Sequence, residues 1–294
     1  MENSIENEKE RFEKINKVGI IGILGNISLL ILKATTGFLF KSQAMIADSM
    51  NSAGDIFSSV MTTIGNRIAS IPSDTDHNLG HGKAEYIFSM FISIAMVLVA
   101  TKLLFDDISN LIKQENEITF SWLLVVAAIL TIAIKFSMFM YTYIQSKKIK
   151  SVLLEANMKD HRNDVIVATF TLISIIASKF GYGMIDDVVG IGISIWIAYT
   201  GIKIFIESYD ILMDRSIDDE TKNKIIKIVK KYPEIKKYNH LNSSPVGIKY
   251  MISISIFVDG NMSTFASHEI ANKLEKEITE LNNIQLTIVH VNPI

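Results

Sequence analysis

The chain has 294 residues, of which 49% are hydrophobic and 20% charged, with 29 Lys and Arg against 31 Asp and Glu. A mean hydropathy of +0.30 points to a membrane protein rather than a soluble two-domain chain, and the formal charge of −2 argues against nucleic acid as a partner. No cysteine is present, so disulfides and thiolate metal sites are excluded, and any metal must be held by oxygen or imidazole.

Residues 1–17 are charged and mixed in sign. They lack the short apolar core and small-residue cleavage site of a signal peptide, so they read as a retained cytoplasmic segment. A transmembrane domain is expected over residues 18–209, with six apolar spans at about 18–40, 44–70, 86–112, 120–144, 152–180 and 184–207. At about 1.5 Å per residue, each is long enough to cross a hydrocarbon core of roughly 30 Å. Asn26 and Lys33 interrupt the first span, and residues 71–83 form a polar loop rich in turn formers. Basic residues in the short loops set the orientation. One side carries Arg11, Lys14, Lys17, Arg67, Lys83, Lys147, Lys148 and Lys150, and the other only Lys41, Lys113 and Lys179. Both termini are therefore expected in the cytoplasm.

The composition changes at residues 210–294, which read as a small cytoplasmic α+β domain. Ser216 followed by Asp218, Asp219 and Glu220 predicts a helix start, and this helix runs over 220–231. Residues 249–258 alternate and are rich in isoleucine, which predicts a strand. A second helix is expected over 263–281 with Ser263 or Thr264 as its cap, a last strand over 285–291, and a further strand around 238–242. Three strands and two helices result. Ile252, Ile254 and Ile256 form a face that needs covering, by the domain's own helices or by a partner copy.

The chemistry lies in spans two and five. Asn51 and Asp55 are four apart on a helix and share a face, with Asp48 close to it. Asp160 and Asp164 repeat the spacing at the start of the fifth span. A charged group at mid-membrane costs at least about 2.5–3.5 kcal/mol, so such groups face a cavity and do chemistry. The alternative for the fifth span alone is a solvated, charged helix end. The second span runs outside to inside and the fifth inside to outside, so the two pairs can meet at similar depth. One amide and three carboxylates then offer oxygen only, which suits a hard divalent ion. Three carboxylates against a divalent cation leave a net −1, so protons and metal compete for the same oxygens. His161 follows Asp160 and stands about 100° around the helix from it, which sets it aside as a ligand.

With four-spaced ligands in spans two and five and a loop carrying Asp74, His77, His81 and Lys83, the chain resembles the cation diffusion facilitator family of metal–proton antiporters over nearly its whole length. The resemblance implies six transmembrane helices followed by a cytoplasmic ferredoxin-like domain, and a homodimer in the bacterial inner membrane. Zinc-transporting members carry histidine in one or both ligand pairs. The set Asn51, Asp55, Asp160 and Asp164 is instead similar to the manganese-exporting branch. It also implies a second metal site at Asp74, His77 and His81, whose alternative is a structural turn capped by Asp74 and bent at Gly80 and Gly82. It further implies an interdomain salt bridge from Lys83 to an acid after span six, here Asp214. In the last domain His290 matches a family metal position, neighbouring positions carry Asn239, Ser255 and Asn292, and His240 and His268 are substitutes. Each lone histidine there reads equally as a surface residue.

The sequence thus predicts no enzyme but an exporter of Mn²⁺, with protons as the counter-ion. The rivals are Zn²⁺ or Fe²⁺ as cargo, a channel, and a membrane metal sensor that does not transport.

Overall fold

The structure is a computed structural model that describes residues 2–39, 43–113, 122–178, 180 and 184–294. Six long helices come first: α1 (Glu2–Leu39), α2 (Gln43–Ala69), α3 (Ala84–Lys113), α4 (Trp122–Lys148), α5 (Val152–Ser178) and α6 (Met184–Leu212). Then follow α7 (Asp219–Val229), β1 (Lys237–Val246), β2 (Lys249–Val258), α8 (Thr264–Thr279) and β3 (Ile284–Pro293). The chain divides into two compact units. One holds Met1–Ser70 and Ala84–Ser208, the other Ile71–Lys83 and Tyr209–Ile294. The loop between α2 and α3 therefore belongs to the C-terminal unit.

In the helical unit, four helical stretches among the described residues are long and apolar enough to cross a membrane: Glu10–Thr35, Ala84–Ile112, Trp122–Lys148 and Ile191–Leu212. Helices α2 and α5 match α4 in length at 27 residues, but polar positions interrupt them, and these are the helices that carry the predicted ligands. The charged N-terminal segment is not separate from the first span, because α1 runs unbroken from Glu2. Its Ile15 and Val18 pack with Ile149 and Leu154. Arg11 pairs with the buried Glu85 at the start of α3 and also donates to the backbone carbonyl of Lys150.

Lipid tails are as apolar as leucine, so small residues that let backbones approach hold membrane helices together. A Cβ added at Gly65 of α2 would lie 2.6 Å from the Cβ of Phe88 on α3 and 3.2 Å from a methyl of Leu153 on α5. Gly201 of α6 stands as close to Val97 of α3, at 2.9 Å. Buried polar side chains bridge the same helices, as Asn157 donates to Thr62 at 3.2 Å and Asn66 to the carbonyl of Phe12 at 3.0 Å.

The C-terminal unit holds a three-stranded sheet in the order β1-β2-β3. β1 and β2 form an antiparallel hairpin whose turn places Gly247 at φ +59°, a conformation open to glycine. β2 and β3 are parallel, joined through α8. The alternation in β2 sends Ile252, Ile254 and Ile256 to one face, where all three are fully buried with Ile225 and Ile228 of α7 and Leu274 and Ile278 of α8. The domain's own helices cover that face. Burying each isoleucine contributes about 1.5–3 kcal/mol. Ser263 caps α8 as expected, but α7 is capped by Asp218 rather than Ser216. The helix opens at Asp219, and the Asp218 carboxylate stands where it accepts the backbone N–H of Thr221 at 2.8 Å. That N–H holds the Asp218 carboxyl below its usual range.

Two outcomes follow. Gly65→Val should destabilise the helical unit by about 1–3 kcal/mol through overpacking against Phe88 and Leu153, whereas Gly192→Ala, whose Cβ meets nothing within 4 Å, should not lower the melting temperature in detergent and should raise it slightly, since alanine is the better helix former. Asp218→Ala should cost the C-terminal unit about 1 kcal/mol near neutral pH. The carboxyl titrates below its ordinary value, so this contribution is present above that value and is lost as pH falls through the lowered one. The melting difference between wild type and variant should accordingly close in acid.

Candidate metal centre

Asp55 sits in the middle of α2, and Asp160 and Asp164 in the first half of α5. Each is on a helix because the surrounding sequence is long and unbroken by proline. The structure brings Asp55 and Asp164 to one point, because the ammonium of Lys135 on α4 lies 2.5 Å from Asp55 Oδ2 and 2.7 Å from Asp164 Oδ2. Lys135 is only 2% exposed. Asp160 joins from the next turn, and ligand atoms of Asp160, His161 and Asp164 lie within 4.8 Å of one another. Asp55 and Asp164 thus share one buried ammonium, while Asp160 and His161 gather with Asp164 in a cluster that does not include Asp55. The side chains of Asp48 and Asn51 lie outside the described residues.

Two participants escape the spacing argument. Lys135 is the single charged residue between Trp122 and Ile144, and a lysine in such a run demands an acidic partner. That was the signal to follow. His161 is the other. Its separation of about 100° from Asp160 does not carry it away from the site, because it stands three residues before Asp164 and so shares a face with it. Its Nδ1 is 3.9 Å from Asp164 Oδ2. Neither ring nitrogen, nor Oδ2 of Asp160, has a hydrogen-bond partner among the described residues. One nitrogen donor thus stands beside the oxygen set. Lys33 of α1, 4% exposed, lies within Coulombic reach of Asp55.

In the C-terminal unit, Asp74, His77 and His81 also bring ligand atoms within 4.8 Å of one another. Asp74 Oδ1 accepts the backbone N–H groups of Asp76 and His77 at 3.0 and 2.6 Å. The N–H of His77 is the main reason that the Asp74 carboxyl is held below its usual range. The imidazoles stand 3.4 and 3.5 Å from the same carboxylate, and Gly80 turns the chain at φ +78°. Features of a capped turn and of a three-ligand cluster coexist here.

Lys83 and Asp214 do pair, at 2.8 Å, but not between units. The loop of residues 71–83 folds with the C-terminal part, where a Cβ on Gly82 would lie 2.6 Å from Gly247. The pair is therefore internal to that unit. With side chains 40% and 58% exposed, it is worth at most about 1 kcal/mol.

On the sheet, Asn239 pairs with Ser255 and Ser255 with His290, so the three form one row across the strands. His290 is exposed on β3, His240 occupies φ +51° at an irregularity of β1, and His268 is exposed on α8. Asn292 stands opposite Phe257. Among the described residues, no third metal-sized cluster of acids and histidines is present.

The cation efflux transmembrane domain matches residues 19–213 of this chain, and the cytoplasmic domain of cation efflux proteins matches residues 217–294. The manganese efflux system protein MneS of Bacillus subtilis is 29% identical over 97% of this chain and 99% of its own length. MneP of the same organism is 28% identical over 97% and 98%. The magnetosome protein MamM of Magnetospirillum gryphiswaldense is 28% identical over 85% of this chain and 79% of its own. Since the transmembrane match alone spans more than half of the sequence, the chain belongs to the cation efflux family, as a multi-pass membrane transporter of metal cations and not an enzyme.

Proposed function

We propose that the chain exports Mn²⁺ from the cytoplasm in exchange for protons. It would act as a homodimer in the bacterial inner membrane, with α1–α6 as six spans and both termini cytoplasmic. The observation that carries this reading is that Asp55 of α2 and Asp164 of α5 face the same buried ammonium, with Asp160 clustered beside Asp164. Ionised carboxylates in apolar surroundings persist when an ion or a counter-charge repays their burial. Oxygen donors suit Mn²⁺, and Asn51, on the same face of α2 as Asp55, adds a neutral one. Metal binding to carboxylates displaces protons, which supplies the coupling. A sensor could keep its ligands in water-exposed segments, so acids buried among helices speak for carriage across the membrane.

For the C-terminal domain we infer a ferredoxin-like arrangement. Its observed order, helix, two strands, helix, strand, is that motif without its first strand. Asp74, His77 and His81 would form a second, water-exposed metal site.

A second reading, Zn²⁺ as cargo, draws on His161, whose buried ring places nitrogen beside Asp160 and Asp164. Zinc takes nitrogen more readily than manganese does.

Purified protein in liposomes separates these. Asp55→Ala or Asp160→Ala should each abolish Mn²⁺ flux, and the accompanying proton movement, while the protein stays inserted and dimeric. Normal flux in either variant would overturn the site. Asn51→His should raise Zn²⁺ transport relative to Mn²⁺, since it keeps the helical position and supplies a softer donor, whereas Asn51→Asp should keep the manganese preference. An unchanged preference in Asn51→His, with Asp55 still essential, would remove Asn51 from the ligand set.

A further inference from the structure

We propose that Lys135 is a tethered competitor of the transported ion: its ammonium and the cargo claim the same two carboxylates. This rests on the reading of Asp55 and Asp164 as ligands of that ion.

The geometry leaves little room for another arrangement. The Lys135 ammonium reaches Asp55 Oδ2 on α2 and Asp164 Oδ2 on α5 simultaneously, from a third helix, at 2.5 and 2.7 Å. A divalent ion held by both carboxylates would occupy the gap that the ammonium fills. Two cations cannot share that gap at contact distance, so loading the site requires Lys135 to withdraw. Its flexible four-carbon stem allows that movement without a shift of the helix backbone.

Lys135 does not claim the whole site. Oδ2 of Asp160 and both nitrogens of His161 have no hydrogen-bond partner among the described residues, and they lie with Asp164 in one cluster. An incoming ion can settle first on this α5 face and then take Asp55 as Lys135 leaves. On release the ammonium returns to both carboxylates and closes the gap behind the ion. A carrier must bind its cargo and also let it go. A resident cation lowers affinity and hastens departure together.

A purely structural ion pair and a competitor differ in the sign of their mutational effects. Lys135→Met keeps the bulk and removes the charge. Competition predicts that it binds Mn²⁺ more tightly, by roughly ten-fold, and transports with a lower KM and a lower maximal rate. Lys135→Arg keeps the charge, and its planar fork clamps two carboxylates more firmly. Competition predicts that it binds Mn²⁺ roughly ten-fold more weakly. The measurement is Mn²⁺ titration of full-length protein in detergent, followed by flux in liposomes. Unchanged or weakened Mn²⁺ binding in a folded, dimeric Lys135→Met would overturn the proposal. If Lys135→Met does not fold, Lys135→Arg decides: weakened binding upholds the competitor role and wild-type affinity overturns it. Asp160→Asn serves as the control for the site itself. If it retains wild-type Mn²⁺ binding, the assignment of the transport site has failed, a result distinct from failure of the Lys135 proposal.

Discussion

Charge buried among apolar helices is the constraint on which the membrane part depends. Asp55, Asp160 and Asp164 lie in helices whose neighbours are lined with isoleucine, leucine and methionine, and each carboxylate would be expelled from such surroundings unless something compensated it. Lys135 supplies that compensation to Asp55 and Asp164 from α4. The pairing fixes which faces of α2, α4 and α5 turn inward, and the small residues follow from it. Gly65 lets α2 approach α3 and α5, Gly201 lets α6 approach α3, and Asn66 and Asn157 donate from α2 to α1 and from α5 to α2. A buried pair of this kind is weak evidence of stability in itself, because desolvation offsets much of the attraction. Its presence is better explained by the ion-binding role proposed for the carboxylates.

The C-terminal unit is held by the opposite means. Its core is a row of isoleucines on β2 sandwiched by two short helices, with caps and exposed ion pairs at the edges. Nothing in it depends on buried charge. Such a domain obeys the ordinary rules of soluble proteins, and its alternation and capping signals were correspondingly plain. The strand at Lys249–Val258 has the bounds its pattern predicts. The cap of α7 moved by two residues, because two oxygen side chains near one helix start compete for the same N–H groups and sequence alone does not rank them, and the strand expected around 238–242 is longer, Lys237–Val246.

In the helical unit, legibility followed periodicity. Asp160 and Asp164 announce themselves by a four-residue spacing inside an apolar run, and Asp55 by its place in another. Lys135 has no such partner on its own helix. Its lone charge in an apolar run signals the need for an acidic partner, but which acids it meets is set by the packing of α4 against its neighbours. The nearness of His161 to the acids shows in its three-residue spacing from Asp164, not in its angle from Asp160. The first helix extends past its apolar stretch because Arg11 finds Glu85 and a carbonyl at Lys150, contacts whose partners lie far along the chain.

The assignment of residues 71–83 to the C-terminal unit has a topological side. The polypeptide crosses between the two units three times, after α2, before α3 and within the end of α6, rather than once at a single hinge. One of those crossings ends α2, the helix of Asp55, and another opens α3, beside the Glu85 that holds Arg11. The loop that brings Gly82 against Gly247 of the β1–β2 turn is thus continuous in backbone with α2 at one end and α3 at the other.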